Sequence, residues 1–371
     1  MGLILSITAN IAFAYGPTSI ALSDRSLWPE KISDAESFDR ASLAEILVFT
    51  SVFNEKEIMG QDYLGKWLNI NSVSMDSVKK WREKTAAILF QNYKIAAASC
   101  PKDDFMCSKS VKSFKDLSEV AKGIGSKIPA SYKSWYENSR AFHEAYIHEQ
   151  YRLAALFPET TSEIGKLSED EINGFEMKDK NFILTFDDGP SELPGTTDKL
   201  IEMLNKEKKT AIFFMLGTNL KQRLKTKPKT ELSAIYKGMT VASHGMEHKS
   251  HSTWPNWKNS LDDTALLLQN TFGESYSPLF RPPYGKRSQE LLAYAKSKGI
   301  RTMLWNIDSQ DWNNKISAAQ VSDRVLTLML LWRHGIILFH DIHDKAVKAL
   351  PVMFDKIKDS EINWIDYSTR H

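Results

Sequence analysis

Asp187 and Asp188 stand side by side in Thr185-Phe186-Asp187-Asp188-Gly189-Pro190, and His244 and His248 stand four apart in His244-Gly245-Met246-Glu247-His248. Adjacent carboxylates repel unless a cation or an arginine divides their roles. Imidazoles at i and i+4 can share one face of a helical turn. Asp188 with His244 and His248 makes a triad of one carboxylate and two imidazoles. Such a set leaves coordination positions open for water and substrate, as catalytic metal sites do. Zinc is the first candidate ion; cobalt, nickel and iron(II) are alternatives. Three further segments carry groups suited to the same chemistry: Arg281-Pro282-Pro283-Tyr284, Asp308-Ser309-Gln310-Asp311-Trp312 and Leu338-Phe339-His340-Asp341. Taken singly, each is weak, since D-D-G-P is also a turn signal. Seven of the nine histidines lie from His244 onward, which gathers the imidazoles in one half of the chain.

The elements that must position these groups are short apolar runs at Phe182–Phe186, Ala211–Leu216, Met239–Ala242, Pro278–Phe280, Thr302–Trp305 and Ile336–Phe339. Helix-like segments lie between and after them, at Leu261–Thr271, Gln289–Lys298, Ala318–Trp332 and Lys345–Lys358. This alternation predicts an α/β unit with a parallel sheet, open or closed into a barrel. All five chemical segments begin at or just after a predicted strand end, where parallel barrels gather their chemistry.

In that order and placement, residues from about 180 to 365 resemble the polysaccharide deacetylase family, the NodB homology domain of carbohydrate esterase family four. The resemblance implies a distorted (β/α) barrel with fewer than eight regular units, spanning 181–371. It also implies roles. Asp187 matches the general base and Arg281 the arginine paired with it. Asp188, His244 and His248 match the metal ligands. His340 matches the general acid and Asp308 the carboxylate that pairs with it. Tyr284 matches the residue whose backbone N–H helps hold the oxyanion, and Trp312 and Leu338 the walls around the acetyl methyl. The implied reaction is hydrolysis of the N-acetyl group of N-acetylglucosamine in a glycan, peptidoglycan first. Chitin, poly-N-acetylglucosamine, an O-acetyl ester or a catalytically silent glycan-binding role are the alternatives. The chain departs from the family pattern at Gly245, where Thr or Ser is usual, so a hydrogen bond steadying that loop is expected to be missing. His251 and His343 are extra and expected to face solvent, with substrate contact as the alternative. Trp254, Trp257 and Trp305 fit either sugar stacking or core packing.

Residues 24–165 read as an all-α domain. Ser42-Leu43-Ala44-Glu45 has the capping-box pattern. Val78, Trp81, Thr85, Leu89, Tyr93 and Ala96 recur at helical spacing, and Tyr132, Trp135, Phe142, Tyr146, Leu153 and Leu156 mark a second long helix ended by Pro158. His143 and His148, five apart, rotate away from each other and read as packing or surface residues. A polar stretch, 166–180, reads as a linker.

The 371 residues are 42% hydrophobic and 25% charged, with a net charge of +2, so no global field draws the chain onto nucleic acid or acidic membranes. Residues 1–23 read as a signal peptide from the apolar run Leu3–Ala14 and its Ala12-Phe13-Ala14 pattern, which implies an exported protein. Cys100 and Cys107 are either a small disulfide loop or two thiols. No later run is long enough to cross a bilayer, and oligomeric state is not encoded in any visible pattern.

Overall fold

The computed structural model describes residues 19–56, 60–100, 104–108, 110–157 and 163–367. The apolar run and A-x-A pattern of the signal-peptide reading lie outside these residues, as does Pro158. Helices α1 (Ala35–Glu55), α2 (Gln61–Leu68), α3 (Met75–Ala96), α4 (Phe114–Lys122), α5 (Ile124–Lys127) and α6 (Lys133–Leu156) build the first half. The second half runs β1 (Asn181–Asp187), α7 (Thr196–Lys206), β2 (Ile212–Met215), α8 (Gly217–Leu224), α9 (Lys229–Ile235), β3 (Thr240–Ser243), α10 (Trp257–Phe272), β4 (Tyr276–Phe280), α11 (Gln289–Ser297), β5 (Arg301–Thr302), β6 (Ile307–Asp308), α12 (Ala318–Trp332), β7 (Gly335–His340), α13 (Asp344–Lys356) and β8 (Asn363–Trp364).

Every strand pair is parallel, in the order β5-β4-β3-β2-β1-β7-β6, with β8 joining the start of β1. Parallel sheets are covered on both faces and so read as continuous apolar runs. Successive side chains still alternate between faces. Ile183, Ile212, Phe214, Ala242, Leu279, Ile336 and Leu338 fill the inside of the curved sheet. Phe182, Leu184, Phe186, Phe213, Val241, Ile337 and Phe339 point outward under the helices. This is a distorted, open (β/α) barrel preceded by a helical region. By the same alternation Asp187, two residues beyond Thr185, and His340, two beyond Leu338, turn inward at the top. They are direct neighbours in register.

The outer layer and the helical region share one core. Phe38, Leu47, Phe49, Leu89 and Tyr146 join Val325, Leu328 and Met329 of α12 in one buried cluster. Polar ties reinforce it. Ser42 Oγ donates to the Leu330 carbonyl at 2.6 Å, and Asn92 Nδ2 donates to the carbonyls of Leu331 (3.2 Å) and Trp332 (3.0 Å). Asn92 thus satisfies carbonyls that the end of α12 leaves open. The aromatic stripes of α3 and α6 are core: Trp81 and Tyr151 meet edge to face, as do Phe49 and Tyr146.

The capping box is not where the sequence pattern puts it. Asp34 and Ser37 cap α1, one helical turn and more before Ser42. Glu45 is instead fully buried at mid-helix. It accepts from Arg25 (2.5 Å), Trp135 Nε1 (2.9 Å) and Ser139 Oγ (2.7 Å), with His143 Nε2 at 2.8 Å. His143 is therefore a packing residue, and His148 lies beside Trp67. Glu45→Ala strands Arg25 without its counter-charge, so the unfolding free energy should fall by about 3–5 kcal/mol. A urea melt monitored at the tryptophans reads this directly.

Residues 166–180 do not run free as a linker would. Ile172 accepts from Leu304 N (2.7 Å) and donates to the Thr302 carbonyl (3.0 Å), while Glu171 forms a buried ion pair with Arg287. Cys100 and Cys107 are joined in a disulfide with Cα atoms 6.1 Å apart. No described helix is long and apolar enough to cross a membrane.

Candidate active site

All the chemical segments converge at the C-terminal ends of the strands. Asp187 is 3% exposed, and its Oδ1 accepts from Arg281 Nη1 at 2.8 Å. Arg281 is completely buried and each of its nitrogens is used. Nη1 also donates to Thr185 Oγ1 (2.8 Å), Nε to the Met303 carbonyl (3.1 Å) and Nη2 to the Leu304 carbonyl (2.9 Å). The guanidinium lies 4.1 Å over the Phe214 ring. Burial lowers its pKa and the Asp187 charge opposes that shift. Geometry so fixed leaves Asp187 Oδ2 as the free oxygen, facing the cleft 3.9 Å from His244 Nε2.

Asp188 would point away from Asp187 if the strand simply continued. It adopts a left-handed φ of 79°, which re-aims its side chain. The change of chain direction thus begins at Asp188 itself, ahead of the Gly189-Pro190 turn signal. Asn219 Nδ2 holds the Asp188 carbonyl at 2.7 Å. Behind the loop, Thr197 Oγ1 accepts from Ser191 N (2.8 Å) and donates to the buried Asp341 carboxyl (2.8 Å). Burial pushes the Asp341 carboxyl up to about 7.

His244 and His248 come together, but on a bend rather than a helical turn. His244 Nδ1 is 2.8 Å from the Arg281 carbonyl, which can only accept, so Nδ1 carries the proton and Nε2 presents a lone pair. Asp188 Oδ1 is 3.4 Å from His244 Nε2 and 3.5 Å from His248 Nε2. Burial, and then His244, push the His248 pKa down to about 4, which keeps it neutral as a ligand must be. The three donor atoms lie within 4.8 Å of one another. Asp188 Oδ1 is buried and has no hydrogen-bond partner. An orphaned carboxylate oxygen facing two imidazole nitrogens is what a divalent cation would satisfy, so these residues fit the implied metal.

The Gly245 departure is compensated. Gly245 has a φ of 85°, and a Cβ there would come within 2.5 Å of the His251 ring. His251 is fully buried, contrary to the solvent-facing expectation, because it fills that space. Ser260 Oγ accepts from Met246 N (2.7 Å) and bonds His251 Nε2 (2.9 Å), while His251 Nδ1 donates to the Lys249 carbonyl (2.8 Å). The loop is steadied from below by His251 and Ser260 in place of a side chain at 245. His251→Ala should weaken metal binding by ~10–100-fold, the usual effect of losing an outer support of a ligand. Competition against a fluorescent chelator measures this.

Asp308 does not pair with His340. Its Oδ1 accepts from Gln310 N at 2.8 Å, closing a tight turn, and Gln310 takes a left-handed φ of 56°. That turn carries Asp311 to His340 instead. Asp311 Oδ1 meets His340 Nδ1 at 2.8 Å and its Oδ2 accepts from His340 N at 2.9 Å. Burial lowers the His340 pKa, but Asp311, then Asp188 and Asp187, outweigh it and the net value is raised to about 10. Burial pushes the Asp308 carboxyl up, with Arg324 opposing.

Of the remaining predicted residues, Leu338 is buried in the barrel interior and Trp312 is half-buried in the turn after Asp311. Tyr284 has a φ of 62° and is half exposed, with its ring 4.4 Å from that of His248. His343 is half-buried, 6.1 Å from the His340 ring, rather than free in solvent. Trp257 and Trp305 are buried, and Trp254 is half-buried against His251.

The polysaccharide deacetylase profile matches residues 175–303. The chain is 32% identical over 207 residues to a peptidoglycan-N-acetylglucosamine deacetylase of Bacillus cereus, covering 53% of this chain and 72% of that protein. It is 31% identical over 183 residues to the peptidoglycan-N-acetylmuramic acid deacetylase PdaC of Bacillus subtilis, covering 48% of this chain and 36% of that one. Among solved structures, the Bc1960 peptidoglycan N-acetylglucosamine deacetylase superposes with a TM-score of 0.47 at 22% identity, over 53% of this chain and 90% of its own. Matching the profile, and 32% identical over 207 aligned residues to a relative of which it covers 72%, the chain belongs to the polysaccharide deacetylase family.

Proposed function

We propose that this protein hydrolyses the N-acetyl group of N-acetylglucosamine residues in a glycan, with peptidoglycan as the first substrate. The observation that carries the reading is the pairing, in one cleft, of an arginine-held carboxylate (Asp187) with an aspartate-held imidazole (His340) on adjacent strand ends. An amide needs both a base for the attacking water and an acid for its poor leaving group.

In this reading Asp187 Oδ2 takes a proton from the attacking water, while Arg281 Nη1 holds the other carboxylate oxygen in place at 2.8 Å. A divalent cation held by Asp188, His244 and His248, zinc first, would supply Lewis-acid polarisation of the acyl carbonyl and lower the pKa of water. The Tyr284 N–H donates to the carbonyl oxygen as negative charge builds there. Leu338 and Trp312 flank the acetyl methyl. Protonated His340 donates to the departing nitrogen, and Asp311 stabilises the imidazolium beforehand. Water and amide thus become acetate and a free amine. The peptidoglycan preference rests on the relatives' substrates, and the Cys100–Cys107 disulfide fits an exported enzyme.

Acetate release from purified peptidoglycan and from chitooligosaccharides, each with and without chelator, tests the reading. Chelator-sensitive release from peptidoglycan is expected. Release from chitooligosaccharides alone would reverse the substrate order. Bound metal with no release from any acetylated glycan would leave a glycan-binding protein.

A further inference from the structure

A second cleft, of ≈ 590 Å³, lies between α3 on one side and Phe157 with residues 164–176 on the other. That volume is ample for a saccharide unit. None of the catalytic residues lines it. One wall carries Lys80, Trp81 and Lys84; the other carries Asn173, Phe175 and Phe157. Lys80 and Lys84 are one helical turn apart, so both ammonium groups reach the same opening.

Lys84 is the unusual group. Its ammonium sits 4.3 Å over the Phe175 ring. Among the described residues no carboxylate lies within ion-pair distance of it. Burial, and then the charge of Lys166, push its pKa down to about 8. The nearby acids offset this only in part: the charge of Glu176 opposes the shift, but its carboxylate lies 3.5 Å from Lys166, and Asp76 and Glu169 are exposed at the mouth. A partly desolvated cation without a direct ion-pair partner is costly, and a bound anion would relieve it.

Asn173 adds direction. It is fully buried; its Oδ1 accepts from Phe175 N at 3.4 Å, while Nδ2 has no acceptor. The cleft therefore offers a cation, an unused amide donor and aromatic rings, the set that holds a polyhydroxylated anion.

We propose that this cleft is a second glycan site that takes a saccharide bearing a carboxylate, with Lys84 as the partner of the anion and the partly exposed Phe157 and Phe175 as the platform for the sugar. It deepens the glycan reading above and rests on it for the sugar half. The cleft wall is tied to the catalytic end of the barrel, since Arg287 reaches back to the Gly165 carbonyl (2.9 Å) and to Glu171. A strand anchored here by its acidic group would present neutral N-acetyl units to the barrel.

Titration calorimetry on the full chain with N-acetylmuramic acid, N-acetylglucosamine and D-lactate tests this, because only the first joins carboxylate and sugar. N-acetylmuramic acid should bind at least about tenfold more tightly than either control, roughly the contribution of one charged hydrogen bond. Lys84→Gln should abolish that advantage and Lys84→Arg should restore most of it, which separates lost charge from lost folding. Equal binding of the acidic and neutral sugars, lactate binding as tightly as the acidic sugar, or an unaffected Lys84→Gln would each overturn the proposal. Binding is read without turnover, so an inactive enzyme that still shows the Lys84-dependent preference would sink the deacetylase reading alone.

Discussion

Asp187→Asn should lower kcat for acetate release by ~10²–10⁴-fold, the usual contribution of a positioned general base. The metal content should stay unchanged, since Asp187 stands beside the Asp188, His244 and His248 set rather than in it. Asparagine is isosteric and can still accept from Arg281 Nη1, so the 2.8 Å contact and the buried guanidinium keep their geometry. The loss is then chemical: an amide oxygen cannot take the proton from water near neutral pH. Steady-state kinetics beside metal analysis of the same preparation would show both halves. Loss of metal together with activity would move Asp187 into the ligand set.

Asp311→Asn should narrow the pH profile from the alkaline side, and Asp308→Asn should not. His340 must be protonated to donate, so activity falls as pH rises through its pKa. Asp311 is the leading cause of the upward shift to about 10, with Asp188 and Asp187 behind it. A cation at the triad offsets the two aspartates near it, so the wild-type alkaline limb should lie below that figure; the pull of Asp311 persists. Without Asp311 the pKa moves back towards 6.5, and at pH 8 only a few per cent of His340 is protonated. Activity at pH 8 should therefore drop roughly 30-fold, with a smaller loss at pH 6. Asp308→Asn keeps an oxygen for Gln310 N and should change kcat by less than about threefold. A profile of kcat from pH 5 to 10 for the three proteins separates these outcomes.

The contrast between Asp308 and Asp311 shows how far the residues alone could be read. Period-two alternation already aims Asp187, Arg281 and His340 into one cleft, because each follows an apolar strand whose inward parity is visible. Asp188 could be assigned as a ligand from its type, but the left-handed φ that re-aims it is a backbone property. In Asp308-Ser309-Gln310-Asp311, either acid could face the histidine. The first is consumed by closing its own turn, and only the conformation of Gln310 reveals that the second is delivered. A signal existed: an Asp two residues before a turn residue commonly bonds that residue's N–H.

His251 was hidden for a different reason. Its fit into the space left by the missing Cβ of Gly245 is a tertiary complementarity that no local pattern carries. In the helical region, apolar spacing gave α3 and α6 nearly to the residue. Ser42 and Glu45 looked like a cap because their types suit one, yet both are buried and bonded far away in sequence, Ser42 to Leu330 and Glu45 to Trp135 and His143. The charged run 166–180 looked solvated for the same reason, since the partner of Glu171 is 116 residues on, at Arg287.

Metal stoichiometry, measured on protein purified without added metal and then reconstituted with zinc, bears most directly on the site. One divalent ion per wild-type chain is expected, bound far more weakly after Asp188→Asn or His244→Ala, with acetate release lost and regained in step with occupancy. Full acetate release from a chain stripped of metal, or undiminished binding in both variants, would contradict a centre built on Asp188, His244 and His248.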